Sequence, residues 1–433
     1  MIPVLSVLSK AAVGIFYRFE AVGPEPPRAG PLVVFANHPN SLLDPALVVG
    51  AAGRPIRFLA KSTLFTDSRV GWLVRASGAI PVHRRQDDSQ AADRNVDMFE
   101  AVFRELGQGA AVGIFPEGIS HSEPSLSKLK TGTARIALGT YAGHGSVFPL
   151  VPMGLVLRDK GVFRSEALVM RGEPVPWDDL AERGAEDQEA VRELTRRLDD
   201  GLREVTLNLE RWEDRPLIEC AQAVWAAEIG GGESRADQVQ RAQIAAAILA
   251  DFRRRGDQEG LSLVRDLDAH RRRLRIFGLQ AGDLGADVGV TTSVGWTARR
   301  LYLFGPPAVL LAVGGAALFW VPYHVTDRIV ATVQPGSDQL STFKVLLGAG
   351  VYLLWIVLLV ALAWWLWGGL VALALLLALP VVGMTGQWVR ERWRGAWGDM
   401  RRFVLLRSRR LMLQRLKVEQ GRLAERLAAV IGS

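Results

Sequence analysis

No charged residue stands between Lys344 and Arg390, and this limits what the chain can fold into more than any other feature. One membrane-spanning helix needs roughly 20 predominantly apolar residues, and this run is about twice that long. Trp364-Trp365-Leu366-Trp367-Gly368-Gly369 interrupts it, placing tryptophans suited to a membrane interface beside a flexible turn. Two spanning helices joined by a tight hairpin over 345–389 are therefore expected. An earlier apolar segment, Leu301 to Val321, follows Arg299-Arg300 and is broken by Gly305-Pro306-Pro307 and Pro322. Both it and the hairpin have arginine-rich outer flanks, and basic flanks favour the cytoplasmic side. Both flanks share one side only if the number of full spans is even. The segment 301–321 is accordingly expected to insert partially.

Residues 1–300 differ, with charged and apolar segments alternating as in a water-exposed domain. The boundaries read as a membrane-surface or packing helix over 1–20, an α/β domain over 21–210 and a helical region of unassigned role over 211–300. A membrane region (301–389) and a basic amphipathic tail (390–433) follow. The formal charge of +7 and pI near 9.8 suit contact with anionic headgroups, worth about 1 kcal/mol per well-placed basic residue. No basic stripe interleaved with aromatics occurs in the first 300 residues, which argues against nucleic acid as a partner. The single cysteine, Cys220, excludes an intramolecular disulfide framework and any multi-cysteine metal site. The apolar N-terminal stretch has no basic leader or cleavage pattern, so a secretory signal is not expected.

Within the α/β domain, apolar runs bounded by Gly and Pro predict strands at 31–36, 56–60, 79–83, 110–115, 147–156 and 167–171. Helical stretches, among them Ala91–Leu106 and Thr131–Ala142, fill the gaps. That rhythm predicts a largely parallel sheet. Val191, Leu194, Leu198, Leu202, Val205 and Leu209 recur at helical spacing and predict an amphipathic helix from Asp187 to Leu209.

Four segments at predicted strand ends carry possible chemistry. The first, Asn37-His38-Pro39-Asn40-Ser41-Leu42-Leu43-Asp44, puts a histidine at a strand-to-helix junction, with Pro39 suited to a helix's first turn. A histidine accepts a proton near neutral pH, and a nearby carboxylate can fix its tautomer. The alternative, a capping histidine and a solvated aspartate, stays open at this point. The second segment, Gly78 to Arg85, ends in guanidinium groups able to bind phosphate in a bidentate manner. The third, Phe115-Pro116-Glu117-Gly118-Ile119-Ser120-His121-Ser122, is an acid–glycine turn whose Gly118 permits close backbone approach. The fourth, Leu150-Val151-Pro152-Met153-Gly154, is a strand bent by proline.

In this order the four segments resemble the conserved blocks of the glycerophospholipid acyltransferase superfamily. The resemblance covers about Leu32 to Pro174. It implies an α/β acyltransferase domain with a largely parallel sheet, to which the composition adds a following helical region and C-terminal transmembrane helices. It assigns His38 and Asp44 to catalysis, and Arg84, Glu117, Gly118 and Lys130 to the acceptor's phosphate. Asn40, Ser120 and His121 would line the pocket, and Val151 and Pro152 the acyl-donor channel. No cofactor or metal is implied; acyl-CoA or acyl-carrier protein is the co-substrate. The common form of the family has four residues between the histidine and aspartate, whereas five, Pro39 to Leu43, stand here. The longer spacer is similar to the yeast-type glycerol-3-phosphate/dihydroxyacetone-phosphate acyltransferases. Leu129-Lys130-Thr131-Gly132 and Phe163-Arg164-Ser165 agree with that type.

The implied activity is acyl transfer to glycerol 3-phosphate or dihydroxyacetone phosphate by an integral membrane enzyme with its catalytic domain on the cytoplasmic face. The rival acceptor is 1-acylglycerol 3-phosphate, a lysophosphatidic acid. A rival of another class is a non-catalytic lipid-binding membrane protein.

Overall fold

The computed structural model describes residues 2–68, 70–83, 91–230, 234–285, 305–408 and 410–431. It divides into two compact units. The first comprises residues 1–210, 234–243 and 336–342, and the second comprises the remainder.

The first unit is built on a seven-stranded sheet among the described residues, in the order β1-β7-β6-β2-β5-β3-β4. The strands are β1 (Tyr17–Val22), β2 (Leu32–Ala36), β3 (Arg57–Lys61), β4 (Ile80–Val82), β5 (Ala111–Ile114), β6 (Leu150–Leu157) and β7 (Ser165–Arg171). Every neighbouring pair is parallel except β6 and β7. The predicted, largely parallel sheet is therefore present, and its fully buried β2 lies at the centre. Each predicted strand is found to within a few residues; β1 was not expected. It is an edge strand whose charged positions alternate with apolar ones, Tyr17-Arg18-Phe19-Glu20, and among the described residues it pairs with β7 alone.

The helices of this unit are α1 (Ile2–Phe16), α2 (Leu43–Ala52), α3 (Ser62–Thr66), α4 (Gly71–Ala76), α5 (Ala91–Gly107), α6 (Gly132–His144) and α7 (Gln188–Val205). Val102, Leu106, Ile136, Leu138, Leu194 and Leu198 from α5 to α7 bury against the sheet in one core. The amphipathic pattern of α7 is realised at Val191, Leu194, Leu198, Leu202 and Val205. Asp187 caps it, accepting the backbone N–H groups of Glu189 and Ala190 at 2.9 and 3.1 Å. Such a cap is worth about 1 kcal/mol.

The end of α7 approaches β6 so closely that a Cβ on Gly154 would run into the Val205 carbonyl. Backbone cannot yield as a flexible side chain can. Gly154→Ala is expected to cost at least about 1–3 kcal/mol, read as a lowered denaturant midpoint. An unchanged midpoint would show that the close approach is absent.

The second unit is helical among the described residues. Helices α8 (Arg215–Glu228) and α10 (Gln258–Phe277) share a core with α15 (Arg410–Ile431); α9 (Arg235–Arg255) lies between them in sequence. Leu416, Leu423 and Leu427 of α15 pack with Val224, Leu263 and Leu267. The apolar face of α15, in the basic tail, thus packs on helices of its own chain and gives α8 and α10 a packing partner.

Helices α11 (Pro306–Leu318) and α12 (Trp320–Val333) meet at a bend of 42°, as a broken span or re-entrant loop would. Helices α13 (Leu340–Trp367) and α14 (Gly369–Ser408) contain stretches long and apolar enough to cross a membrane, and Gly368 forms the turn between them. Small residues bring α11 and α14 together, and a Cβ on Gly386 would stand 2.5 Å from the Leu311 carbonyl oxygen. Such close backbone approach is the usual device of helix pairs in lipid.

Candidate active site

Strand β2 ends at Ala36, and six residues turn the chain into α2. Asn37 pins this turn to the neighbouring strand: its amide donates to the Leu155 carbonyl at 3.2 Å and accepts the Leu155 N–H at 2.7 Å. Pro39 stands in the turn, outside any helix, and it is Pro45 that occupies the first turn of α2. Ser41 takes a left-handed conformation with φ of 49°. Its N–H donates to Ser120 Oγ at 3.1 Å, and the Asp44 N–H returns to the Ser41 carbonyl at 3.2 Å. This looped turn absorbs the five-residue spacer and brings both ends of the motif together.

His38 Nδ1 lies 2.8 Å from Asp44 Oδ2. The same carboxylate oxygen accepts the Asn40 N–H at 2.7 Å. An ionised carboxylate only accepts, so Nδ1 carries the imidazole proton and Nε2 keeps its lone pair. The ring stacks on Phe115, with centroids 4.0 Å apart and planes inclined by 8°. The His38 side chain is 20% exposed and the Asp44 side chain fully buried. Burial pushes the Asp44 carboxyl above its ordinary value, against the bond and charge of His38, the Asn40 N–H and the field of Lys160. The pair thus has the parts of a base and its orienter.

The turn after β5 braces this arrangement. Buried Glu117 accepts the His38 backbone N–H at 2.9 Å through Oε1. Through Oε2 it accepts the Ser127 N–H at 2.8 Å and meets His121 Nε2. His121 Nδ1 accepts the Glu123 N–H at 3.2 Å, which leaves the proton on Nε2, facing Glu117. Gly118 has φ of 73°, and a Cβ there would strike the aliphatic stem of Lys130. The structure therefore gathers His38, Asn40, Asp44, Glu117, Gly118, Ser120, His121 and Lys130 around one strand-end junction. Val151 and Pro152 lie elsewhere, buried within β6 opposite Val34 and Phe35. Arg84 falls outside the described residues.

Two participants escaped sequence reasoning. Tyr17 is completely buried, donates to the Lys160 carbonyl at 2.6 Å and accepts from Asn40 Nδ2 at 2.9 Å. Burial pushes its hydroxyl up to about 12. Half-buried Lys160 donates to Ser122 Oγ at 3.0 Å; burial pulls its ammonium below the ordinary lysine value, while Asp44 and Asp338 oppose that shift. Neither carries a local motif. The one available signal was the position of Lys160, three residues before the Phe163-Arg164-Ser165 stretch.

Known proteins share part of this sequence. Residues 18–156 match the family model described as Acyltransferase. Glycerol-3-phosphate O-acyltransferase 2 of Saccharomyces cerevisiae is 34% identical over 134 residues, 30% of this chain and 18% of that protein. Glycerol-3-phosphate O-acyltransferase 1 of the same yeast is 25% identical over 295 residues, 60% of this chain and 37% of the relative. The chloroplastic 1-acyl-sn-glycerol-3-phosphate acyltransferase LPAT1 of Arabidopsis thaliana is 30% identical over 141 residues, 32% of this chain and 37% of that protein. The chain thus spans well under half the length of these curated relatives. The crystal structure of 1-acyl-sn-glycerophosphate (LPA) acyltransferase, PlsC, from Thermotoga maritima is 21% identical with a TM-score of 0.36, covering 47% of this chain and 78% of that one.

Proposed function

Since the α/β domain is a member of the acyltransferase family and fits the glycerophospholipid acyltransferase superfamily, we propose that this protein is a membrane-bound O-acyltransferase that esterifies glycerol 3-phosphate or dihydroxyacetone phosphate. The observation that carries the reading is the His38 Nδ1 to Asp44 Oδ2 bond of 2.8 Å, which leaves Nε2 as the basic atom. His38 Nε2 takes the proton of the acceptor hydroxyl while that oxygen attacks the thioester carbonyl of acyl-CoA or acyl-carrier protein. The C–O bond forms, the C–S bond breaks, and the imidazolium returns its proton to the leaving thiolate. Asp44 balances the transient positive charge. No covalent enzyme intermediate is needed.

Arg84 and Lys130, with the Gly118 turn, supply the anchor for the acceptor's phosphate. Glu117 serves by holding the His38 backbone, and Asn40, Ser120 and His121 by shaping the pocket. The arginine-rich flanks of the apolar region favour a cytoplasmic catalytic domain. The five-residue spacer and the similarity to the two yeast proteins support the glycerol 3-phosphate acceptor. The similarity to the Arabidopsis protein keeps 1-acylglycerol 3-phosphate as the second reading.

The deciding experiment supplies the purified protein in lipid vesicles with acyl-CoA and each acceptor in turn, with products read by mass. Lysophosphatidic acid formed from glycerol 3-phosphate supports the first reading. Phosphatidic acid formed only from the lysolipid supports the second, and no product from either leaves the non-catalytic alternative. Arg84→Ala is expected to raise the acceptor KM about 10–100-fold, the worth of a charge-assisted phosphate contact, and to leave the donor KM unchanged. An unchanged acceptor KM would remove Arg84 from the phosphate site.

A further inference from the structure

Asn40 is fully buried, and both ends of its side chain are engaged. Its Nδ2 donates to Tyr17 Oη, which itself donates to the Lys160 carbonyl. That order of donors leaves the Asn40 amide oxygen as an acceptor, and Ser341 Oγ donates to it. Ser341 is also fully buried. It lies in the segment Gly336–Thr342, which belongs to the sheet-bearing unit although Ser341 stands in the first turn of the apolar helix α13. The segment has further attachments in that unit. Ser337 Oγ lies 2.9 Å from Ser122 Oγ, Leu340 covers Gly161, and Asp338 acts electrostatically on Lys160.

These bonds form one chain. Ser341 holds the Asn40 side chain, the Asn40 N–H holds Asp44 Oδ2 at 2.7 Å, and Asp44 Oδ2 holds His38 Nδ1 at 2.8 Å. We propose that Ser341 is a positioning residue of the acyl-transfer site, fixing through Asn40 the carboxylate that orients His38. The assignment rests on the catalytic reading of His38 and Asp44 and extends it to a residue 303 positions beyond His38 in the sequence. Ser341 acts through Asn40 and contributes no atom to the reaction. Without its hydroxyl the buried Asn40 oxygen loses its donor, and the backbone turn that presents its N–H to Asp44 relaxes. The chemical step suffers, while the groups that bind donor and acceptor stay in place.

The test uses the full-length protein in vesicles with acyl-CoA and whichever acceptor the wild type turns over. Ser341→Ala is expected to lower kcat about five- to tenfold, the worth of one buried neutral hydrogen bond, with both KM values within twofold of wild type. Ser341→Cys, which keeps the volume but offers only a weak donor, should share that loss. In an Asn40→Ala background Ser341→Ala should have no further effect, because the two act in series. Rates are taken per folded enzyme after gel filtration, so a lower yield does not count. A kcat within twofold of wild type for Ser341→Ala would overturn the proposal. So would a KM effect without a kcat effect, full activity of Ser341→Cys, or additive losses in the double variant. A His38→Ala control separates the two levels. If it is as active as wild type, the catalytic reading itself has failed; if it is inactive while Ser341→Ala is unaffected, only the role of Ser341 has failed.

Discussion

Replacing His38 with alanine is expected to lower kcat by about 10²–10⁴-fold, the usual contribution of a positioned general base, with little change in donor KM. The expectation follows from the tautomer. Asp44 Oδ2 holds the Nδ1 proton at 2.8 Å, so Nε2 is the only ring atom able to accept a proton from a hydroxyl. The ring is also fixed in plane by Phe115, stacked 4.0 Å away. Alanine removes the base without touching the backbone N–H that His38 gives to Glu117 at 2.9 Å. The turn should therefore remain folded, and melting should stay within a few degrees of wild type. The measurement is initial rate against acceptor concentration at saturating donor. A His38→Ala protein that incorporates acyl label at the wild-type rate would make the histidine a structural residue.

The parts of this site differed in how well the sequence announced them. The sheet was legible because Leu32–Ala36, Ala111–Ile114 and Leu150–Leu157 are buried between their neighbours and read as unbroken apolar runs. β1 was not, since an edge strand with Arg18 and Glu20 facing outward carries too little apolar signal and directly follows an apolar helix. Pro39 misled because proline suits both a helix's first turn and a tight turn. The left-handed Ser41 beside it, which decides between them, has no signature of its own. His38 and Asp44 were legible as residues, but their pairing depends on a turn stitched by Ser120 and Asn37 to two other strands' ends. Ser341 and Tyr17 were invisible, because a buried hydroxyl 301 positions from Asn40 leaves no local pattern. The helical region and tail hid each other for the same reason. Each looks like an exposed amphipathic surface until Leu416 and Leu423 are placed against Val224 and Leu267.

Asp44→Asn should separate activity from stability more sharply than any other change. The carboxylate is fully buried, its Oδ1 has no hydrogen-bond partner among the described residues, and burial raises its pKa. A raised carboxyl pKa means that the folded state holds the anion at a cost. Stability contributed by this group is present at acidic pH and declines as pH rises through the folded pKa. A neutral amide of the same shape escapes that cost, and its oxygen can still accept the Asn40 N–H. The variant is therefore expected to melt at or above the wild-type temperature at neutral pH, with the advantage shrinking as pH falls and Asp44 takes up its proton. Catalysis should move the opposite way. The amide cannot balance the protonated imidazole that forms as the acceptor gives up its proton. A loss of about 10²–10⁴-fold in kcat is expected here, together with an undiminished melting temperature. Calorimetry and initial rates on one preparation measure both. Retention of more than about a tenth of wild-type kcat, the scale of a single neutral hydrogen bond, would reduce Asp44 from a charged orienter to a buried acceptor that any polar residue could replace.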